Sequence, residues 1–308
     1  MTFIRTARLA GPAAALLLAA AAVDVAPARQ AAPASPRPLE VSHSARALVP
    51  GEAVVLTFKA AAGPLTAVRG TAFGQPFSAY AGASADTWHA LVGIDLSTRP
   101  GPAVVEAEAR LADGSPLAAS LPLTVAAKTF ATRRLKVAPE FVTPPPAEQA
   151  RIERERLLLN RILSAISPRH LWGDGFGRPV DGEVISVFGV RSVFNGEARA
   201  PHRGIDFRGA TGTPVRAPAR GVVVLAEPLY FSGSTVILDH GLGVFSMLAH
   251  LSRIDARPGA LVVRGDVVGA IGATGRVTGP HLHWTLRLGA AAVDPLSVLA
   301  VAGAGDKR

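Results

Sequence analysis

Two short glycine-flanked stretches, PHRGIDF at 201–207 and GPHLHW at 279–284, hold three of the chain's eight histidines. In a strand, residues i and i+2 point to the same face, ~6.5–7 Å apart. The spacing therefore predicts that His281 and His283 project together, with Leu282 on the opposite side. Imidazole is the commonest metal ligand and the usual general base near neutral pH. Two on one face can bind a metal together, or one can bind while its neighbour handles the proton; spacing alone does not choose. The first stretch adds His202 and Asp206, with Gly204 between them to allow an unusual backbone angle that lets the two side chains converge. His, Asp and His make three nitrogen and oxygen ligands, and a catalytic zinc site keeps three protein ligands and an open fourth position. The chain has no cysteine, which excludes disulfides, thiolate metal sites and cysteine nucleophiles.

His250, in LAHLS, ends a predicted strand midway between the two stretches. Beside an open metal site it becomes a candidate partner for metal-bound water or a developing oxyanion. His240, in LDHG, reads as part of a strand-end turn and therefore structural. His43 and His89 have no second ligand-type residue at useful spacing and read as ordinary surface or packing histidines.

These residues must be held by strands. From 182 to 298, runs such as EVISVFGVR, STVILDHG, GVFSMLAHL and HLHWTLRLG alternate with glycine turns and carry almost no helical period, so an all-β domain is expected there. Residues 39–128 carry short alternating runs (AVVLTFKA, AVVEAEARL, LPLTVAA) separated by PGE, RPGP and ADGSP, which predicts an antiparallel β-sandwich, immunoglobulin-like in broad architecture. Between them, 129–181 reads as a linker containing one helix over 146–166, with Ile152, Leu159, Ile162, Leu163 and Ile166 on one stripe. Residues 299–308 read as a tail. The fold class is mostly β with two domains, and 308 residues suffice for both.

The start of the chain has Arg5 and Arg8, then an apolar run from Pro12 to Val23, then small residues. Residues 1–28 thus have the layout of a secretory signal peptide, followed by a Pro/Ala/Ser linker at 29–38. The run is shorter than the ~20 residues of a membrane span; an uncleaved N-terminal anchor is the competing reading. The protein is expected in the periplasm, the cell envelope or the extracellular space. The formal charge is +9, with 28 arginines among 32 basic residues, which suits an anionic cell-wall polymer or membrane surface. No Lys/Arg block with interleaved aromatics is present, so no nucleic-acid partner is expected.

Taken with SVFGVR, HRGIDF, GTPVRAPARGVVV, LAHLS and GATGRVTGPHLHW, in that order, residues 182–298 resemble the lysostaphin/LytM-type zinc metallopeptidases, which cleave peptide bonds in bacterial peptidoglycan. The resemblance implies one zinc ion per chain, held by His202, Asp206 and His283, with His281 and His250 acting in catalysis. It implies an exported zinc metalloendopeptidase that attacks the peptide of peptidoglycan with zinc-bound water. Zinc lowers the pKa of such water from about 15.7 to about 7 and polarises the scissile carbonyl. His281 or His250 would orient or deprotonate the water, or stabilise the oxyanion. Two departures stand out: Leu248 occupies a position where the family often has an aromatic, and LYFSGSTVIL lacks the usual glycine-rich wording. The first could alter substrate packing; neither removes a metal ligand. The competing functions are a non-catalytic LytM-like regulator of wall hydrolysis and a zinc peptidase acting on a secreted protein. All five site residues lie beyond residue 200, so the first half is expected to be dispensable for the chemistry itself.

Overall fold

Period-2 burial dominates the first half of the chain. Along Gly101–Leu111, Val105, Ala107, Ala109 and Leu111 are buried while Glu106, Glu108 and Arg110 are exposed. Along Ala53–Lys59, Val54, Leu56 and Phe58 point inward. A strand with one apolar face must bury it against another layer. The structure, a computed structural model, describes residues 37–136 and 144–303. One sheet runs Arg37–Pro38, Pro116–Val125, Gly101–Leu111, Leu65–Ala72, Gln75–Ser78; the other runs Glu40–Ser44, Ala53–Lys59, Thr87–Gly93, Tyr80–Ala81. Both contribute to one core around Phe58, Val68, Val92, Leu117 and Val125. The expected leader and most of the expected first linker lie outside the described residues.

The helix spans Gln149–Leu163, with a 3-10 turn at Pro146–Glu148 before it, and so stops three residues short of the expected end. Leu158, Leu159, Ile162 and Leu163 pack on Leu225, Leu229, Ile237 and Phe245, whereas Ile166 is 60% exposed. Glu155 anchors the helix by accepting from the Tyr230 backbone N–H at 2.7 Å. The segment read as a linker also holds a strand, Thr132–Leu135, paired in parallel with Arg191–Phe194. A second helix, Pro295–Ala302, was not anticipated. Its start is fixed by Asp294, whose carboxylate accepts from the Leu296 N–H, and by proline at the first helical position.

The large sheet of the second half follows the order Val184–Ser186, Ile205–Arg208, His281–Leu288, Val244–Ile254, Gly233–Gly241, Gly221–Leu229, Leu261–Val262. The three strands of this order that carry the site residues are neighbours. Trp284, Phe207, Leu248 and Leu282 are fully buried beneath them.

The two halves share contacts at atomic distance. Ala53 and Leu91 belong to the same core as Trp172, Phe176 and Val293. A Cβ on Gly93 would stand 2.7 Å from Val293 Cγ1 and 2.8 Å from Ala291 Cβ, so glycine there allows the close approach. The Asp294 N–H donates to the Gly51 carbonyl at 2.7 Å, and the Ala53 N–H to the Ser297 hydroxyl at 2.9 Å. Arg46 bridges Glu52 (2.9 Å) and Asp294 (2.7 Å), and Lys128 also reaches Glu52 (3.1 Å). The Glu52 side chain is only 4% exposed. A carboxylate that buried needs its cations; removing one partner from such a pair costs about 3–5 kcal/mol.

Candidate metal centre

Strand register brings the ligands together. Ile205–Arg208 and His281–Leu288 run antiparallel with Asp206 directly opposite His283, and His283 is in turn opposite Ala249 of Val244–Ile254. Burial alternates strictly along HLHWTLRL: Leu282, Trp284, Leu286 and Leu288 are buried, while His281, His283 and Thr285 face the other way. His202 precedes its strand and is tied in by its backbone N–H to the Val190 carbonyl at 2.9 Å. Gly204 works differently from expectation, because its backbone is not in the left-handed region. A Cβ there would lie 2.4 Å from the Trp284 carbonyl oxygen and 2.8 Å from His283 Cε1, so glycine is needed for close approach.

His202 Nε2, Asp206 Oδ1 and His283 Nδ1 form a nearly regular triangle with edges of 3.0, 3.0 and 2.8 Å. Hydrogen bonds on the far sides set what faces inward. His202 Nδ1–H donates to the Val187 carbonyl at 3.0 Å, leaving Nε2 with its lone pair. His283 turns Nε2 to the Thr285 hydroxyl at 2.9 Å, which leaves Nδ1 toward the triangle. Three acceptors then converge with no proton between them, an arrangement that repels unless a cation joins it. Ligands ~2.0–2.1 Å from one tetrahedral ion lie ~3.3 Å apart, so the donor set fits a small divalent ion with modest adjustment. Burial by itself pushes the Asp206 carboxyl up, but with protons on the inward nitrogens of His202 and His283 these rings outweigh it and hold the carboxyl well below the usual carboxylate range. Burial depresses His283, although Asp206 pulls the other way.

His250 and His281 stand beside this triangle with ring centroids 4.9 Å apart. His281 Nε2 is 3.8 Å from Asp206 Oδ1. Each ring donates Nδ1–H to a carbonyl at 2.9 Å, His250 to Thr274 and His281 to Gly279, which leaves both Nε2 atoms without a hydrogen-bond partner among the described residues. Burial pulls His250 down to about 4 against the opposing effect of the Thr274 carbonyl. His250 has φ +65°, a left-handed backbone that costs a side-chain-bearing residue ~1–3 kcal/mol. Its backbone N–H to Ser232 holds that geometry at 2.8 Å, and the strand resumes beyond it to Ile254.

The five residues share a cleft of about 440 Å³ with Phe231, Met247, Phe194, Arg133 and Arg276, among others. Leu248 is fully buried, in register with Trp284 and Val236, and is not among the cleft residues; Met247 lines the cleft in its place. His240 is buried and structural: Nδ1–H donates to the Arg220 carbonyl (2.8 Å) and Nε2 accepts from the Ser246 hydroxyl (2.9 Å), which also takes the Trp284 indole N–H (3.3 Å). His89 bonds the Thr57 hydroxyl at 3.1 Å, away from the triangle. The sequence reading did not single out Thr285, Thr274 or Arg276. Thr285 had a signal, being two residues beyond His283 and hence on the same face.

A family model for peptidase family M23 matches residues 200–295. A crystal structure described as an M23 peptidase of Pseudomonas aeruginosa is 36% identical, with a TM-score of 0.64, over 82% of this chain and 95% of that one. The chain belongs to peptidase family M23. Among curated relatives, the peptidoglycan DD-endopeptidase ShyA of Vibrio cholerae is 45% identical over 111 residues, 35% of this chain and 26% of ShyA. The DD-carboxypeptidase/endopeptidase Mpg of Neisseria meningitidis is 43% identical over 97 residues, 32% of this chain and 22% of Mpg. The match thus spans about a quarter of those relatives' length; the triangle, His250 and His281 all lie within the M23 match at 200–295. The M23 match ends at residue 295, where the second helix begins.

Proposed function

We propose that the protein is an exported zinc metalloendopeptidase that hydrolyses peptide bonds of bacterial peptidoglycan. The observation that carries this reading is the convergence of three lone-pair donors, His202 Nε2, Asp206 Oδ1 and His283 Nδ1, beside two histidines with free Nε2 atoms. Without thiolates, a set of two imidazoles and one carboxylate suits zinc. Bound there, the metal supplies Lewis acidity and an acidified water. His250 and His281 each hold Nδ1–H on a carbonyl, so Nε2 is the atom that takes a proton from the nucleophile or gives one to the leaving amine. Two imidazoles side by side can divide those duties, one as base and the other as donor to the oxyanion.

Peptidoglycan as the substrate is supported by the similarity to ShyA, a peptidoglycan DD-endopeptidase, and by a surplus of arginine suited to an anionic polymer. With every metal and proton-transfer position filled, a non-catalytic regulator is the weaker reading. Residues 1–28 act as the export signal. Residues 39–128 and 182–298 form the two domains. Incubation of purified peptidoglycan with the zinc-loaded protein, followed by mapping of the cleaved bond, is the test; intact peptidoglycan after complete metal loading would overturn the reading.

A further inference from the structure

Arg276 lies two residues beyond the Thr274 carbonyl that anchors His250, and it lines the same cleft. Its guanidinium carbon sits 4.4 Å from the centroid of the Phe231 ring, within cation–π range. Its backbone N–H donates to the Phe231 carbonyl at 2.9 Å, so both ends of the residue are held by one aromatic neighbour. The turn cannot drift: a Cβ on Gly275 would meet the Gly233 nitrogen at 2.3 Å.

Among the described residues no acid answers this cation: its charged neighbours are Arg199, another cation, and the Tyr230 phenol. Arg199 has its own partner in Glu197 at 2.8 Å. Arg133, the other arginine lining the cleft, bonds the neutral Ser192 hydroxyl at 3.1 Å. Among the described residues the one acid lining the cleft is Asp206, whose Oδ1 is committed to the triangle. A peptide entering the cleft therefore meets two arginines with no carboxylate to neutralise them among the described residues. A guanidinium fork stacked on a ring is already organised to take a carboxylate through two parallel hydrogen bonds.

We propose that Arg276 is a specificity-determining residue that grips a free carboxylate beside the scissile bond, so that the favoured substrate is an acidic peptide. This rests on the peptidase reading above. The test uses the zinc-loaded full chain and two synthetic cross-linked peptides that differ only in whether the carboxyl next to the scissile bond is free or amidated. Arg276 is exposed, so Arg276→Gln and Arg276→Lys are expected to keep the wild-type melting temperature. For wild type, kcat/KM should favour the free acid about 10- to 100-fold, the range for a hydrogen bond to a charged group. Arg276→Gln should erase that preference by losing rate on the free acid alone, and Arg276→Lys should restore part of it. Equal rates for wild type on both peptides, or equal losses on both in Arg276→Gln, would overturn the proposal. If wild type cleaves neither peptide, the peptidase reading fails. Fluorescence anisotropy binding of the same pair to wild type and Arg276→Gln then decides the carboxylate contact by itself: it stands if the free acid binds more tightly only to wild type, and falls otherwise.

Discussion

The Thr285 hydroxyl lies 2.9 Å from Nε2 of His283, at the ring edge opposite the one that faces Asp206. This contact sets which nitrogen of His283 carries the proton. Replacing Thr285 with valine keeps the shape and removes the acceptor, freeing the ring to rotate and to place its proton on Nδ1. Loss of such an outer partner typically weakens metal affinity ~10- to 100-fold. Competitive zinc titration against a chelating dye should find Thr285→Val in that range, with the fold intact by circular dichroism.

The neighbours on HLHW should separate cleanly. His283→Ala should lose both bound metal and activity, because the triangle is left with two members. His281→Ala and His250→Ala should retain metal while losing ~10²–10⁴-fold in turnover, the usual worth of a proton-transfer or oxyanion group. Zinc content by mass spectrometry and peptidoglycan cleavage, measured on all three, decide the assignment; metal lost from His281→Ala but kept by His283→Ala would reverse it.

Gly204→Ala is expected to damage the site without touching a ligand. The added methyl would press on the Trp284 carbonyl at 2.4 Å, and backbone there has no room to withdraw because it is paired with Ile205. Overpacking of this kind costs typically 1–3 kcal/mol. The expected result is a lower melting temperature together with weaker zinc binding, and an unchanged value of both would refute the steric account.

His240 links stability to acidity. Burial holds its pKa down to about 4, against about 6.5 when the chain is unfolded. The neutral ring is common to both states above pH 6.5, where no penalty arises. As the pH falls from 6.5 toward 4, the unfolded chain takes up a proton that the folded one refuses, and stability is lost. That gap corresponds to roughly 3 kcal/mol. Urea unfolding of wild type and His240→Gln at pH 7 and pH 4.5 should show a smaller pH effect in the variant. Equal pH effects would remove His240 from the account.

Much of the metal centre was legible because strand geometry is local. The alternation that puts His281 and His283 on one face and Leu282 beneath it follows from the pleat alone, and the same alternation marked the apolar faces of Ala53–Lys59 and Gly101–Leu111. Residues acting through contacts distant in sequence left no local trace. Arg276 owes its place to Phe231, 45 positions earlier, and Glu52 owes its burial to Arg46, Lys128 and a helix that begins at Pro295. Glycines misled for a related reason. Gly93 sits inside a strand because Val293 and Ala291 press against it, and Gly204 makes room for a carbonyl; neither reason is visible without the neighbour. The helix end was missed because Ile166 continues the apolar stripe in sequence while the backbone has already left the helix at Ser164.

The strand Thr132–Leu135 lies just after the N-terminal sheets, and it contributes Arg133 to the cleft through its parallel pairing with Arg191–Phe194. In a chain made from its N-terminus, that flank is synthesised about sixty residues before its pairing partner and some seventy before the first metal ligand. The wall that Arg133 forms is therefore complete only once its later partner strand has been made. The wall of the cleft and its five site residues thus have separate origins along the chain, since His202, Asp206, His250, His281 and His283 all follow the pairing strand.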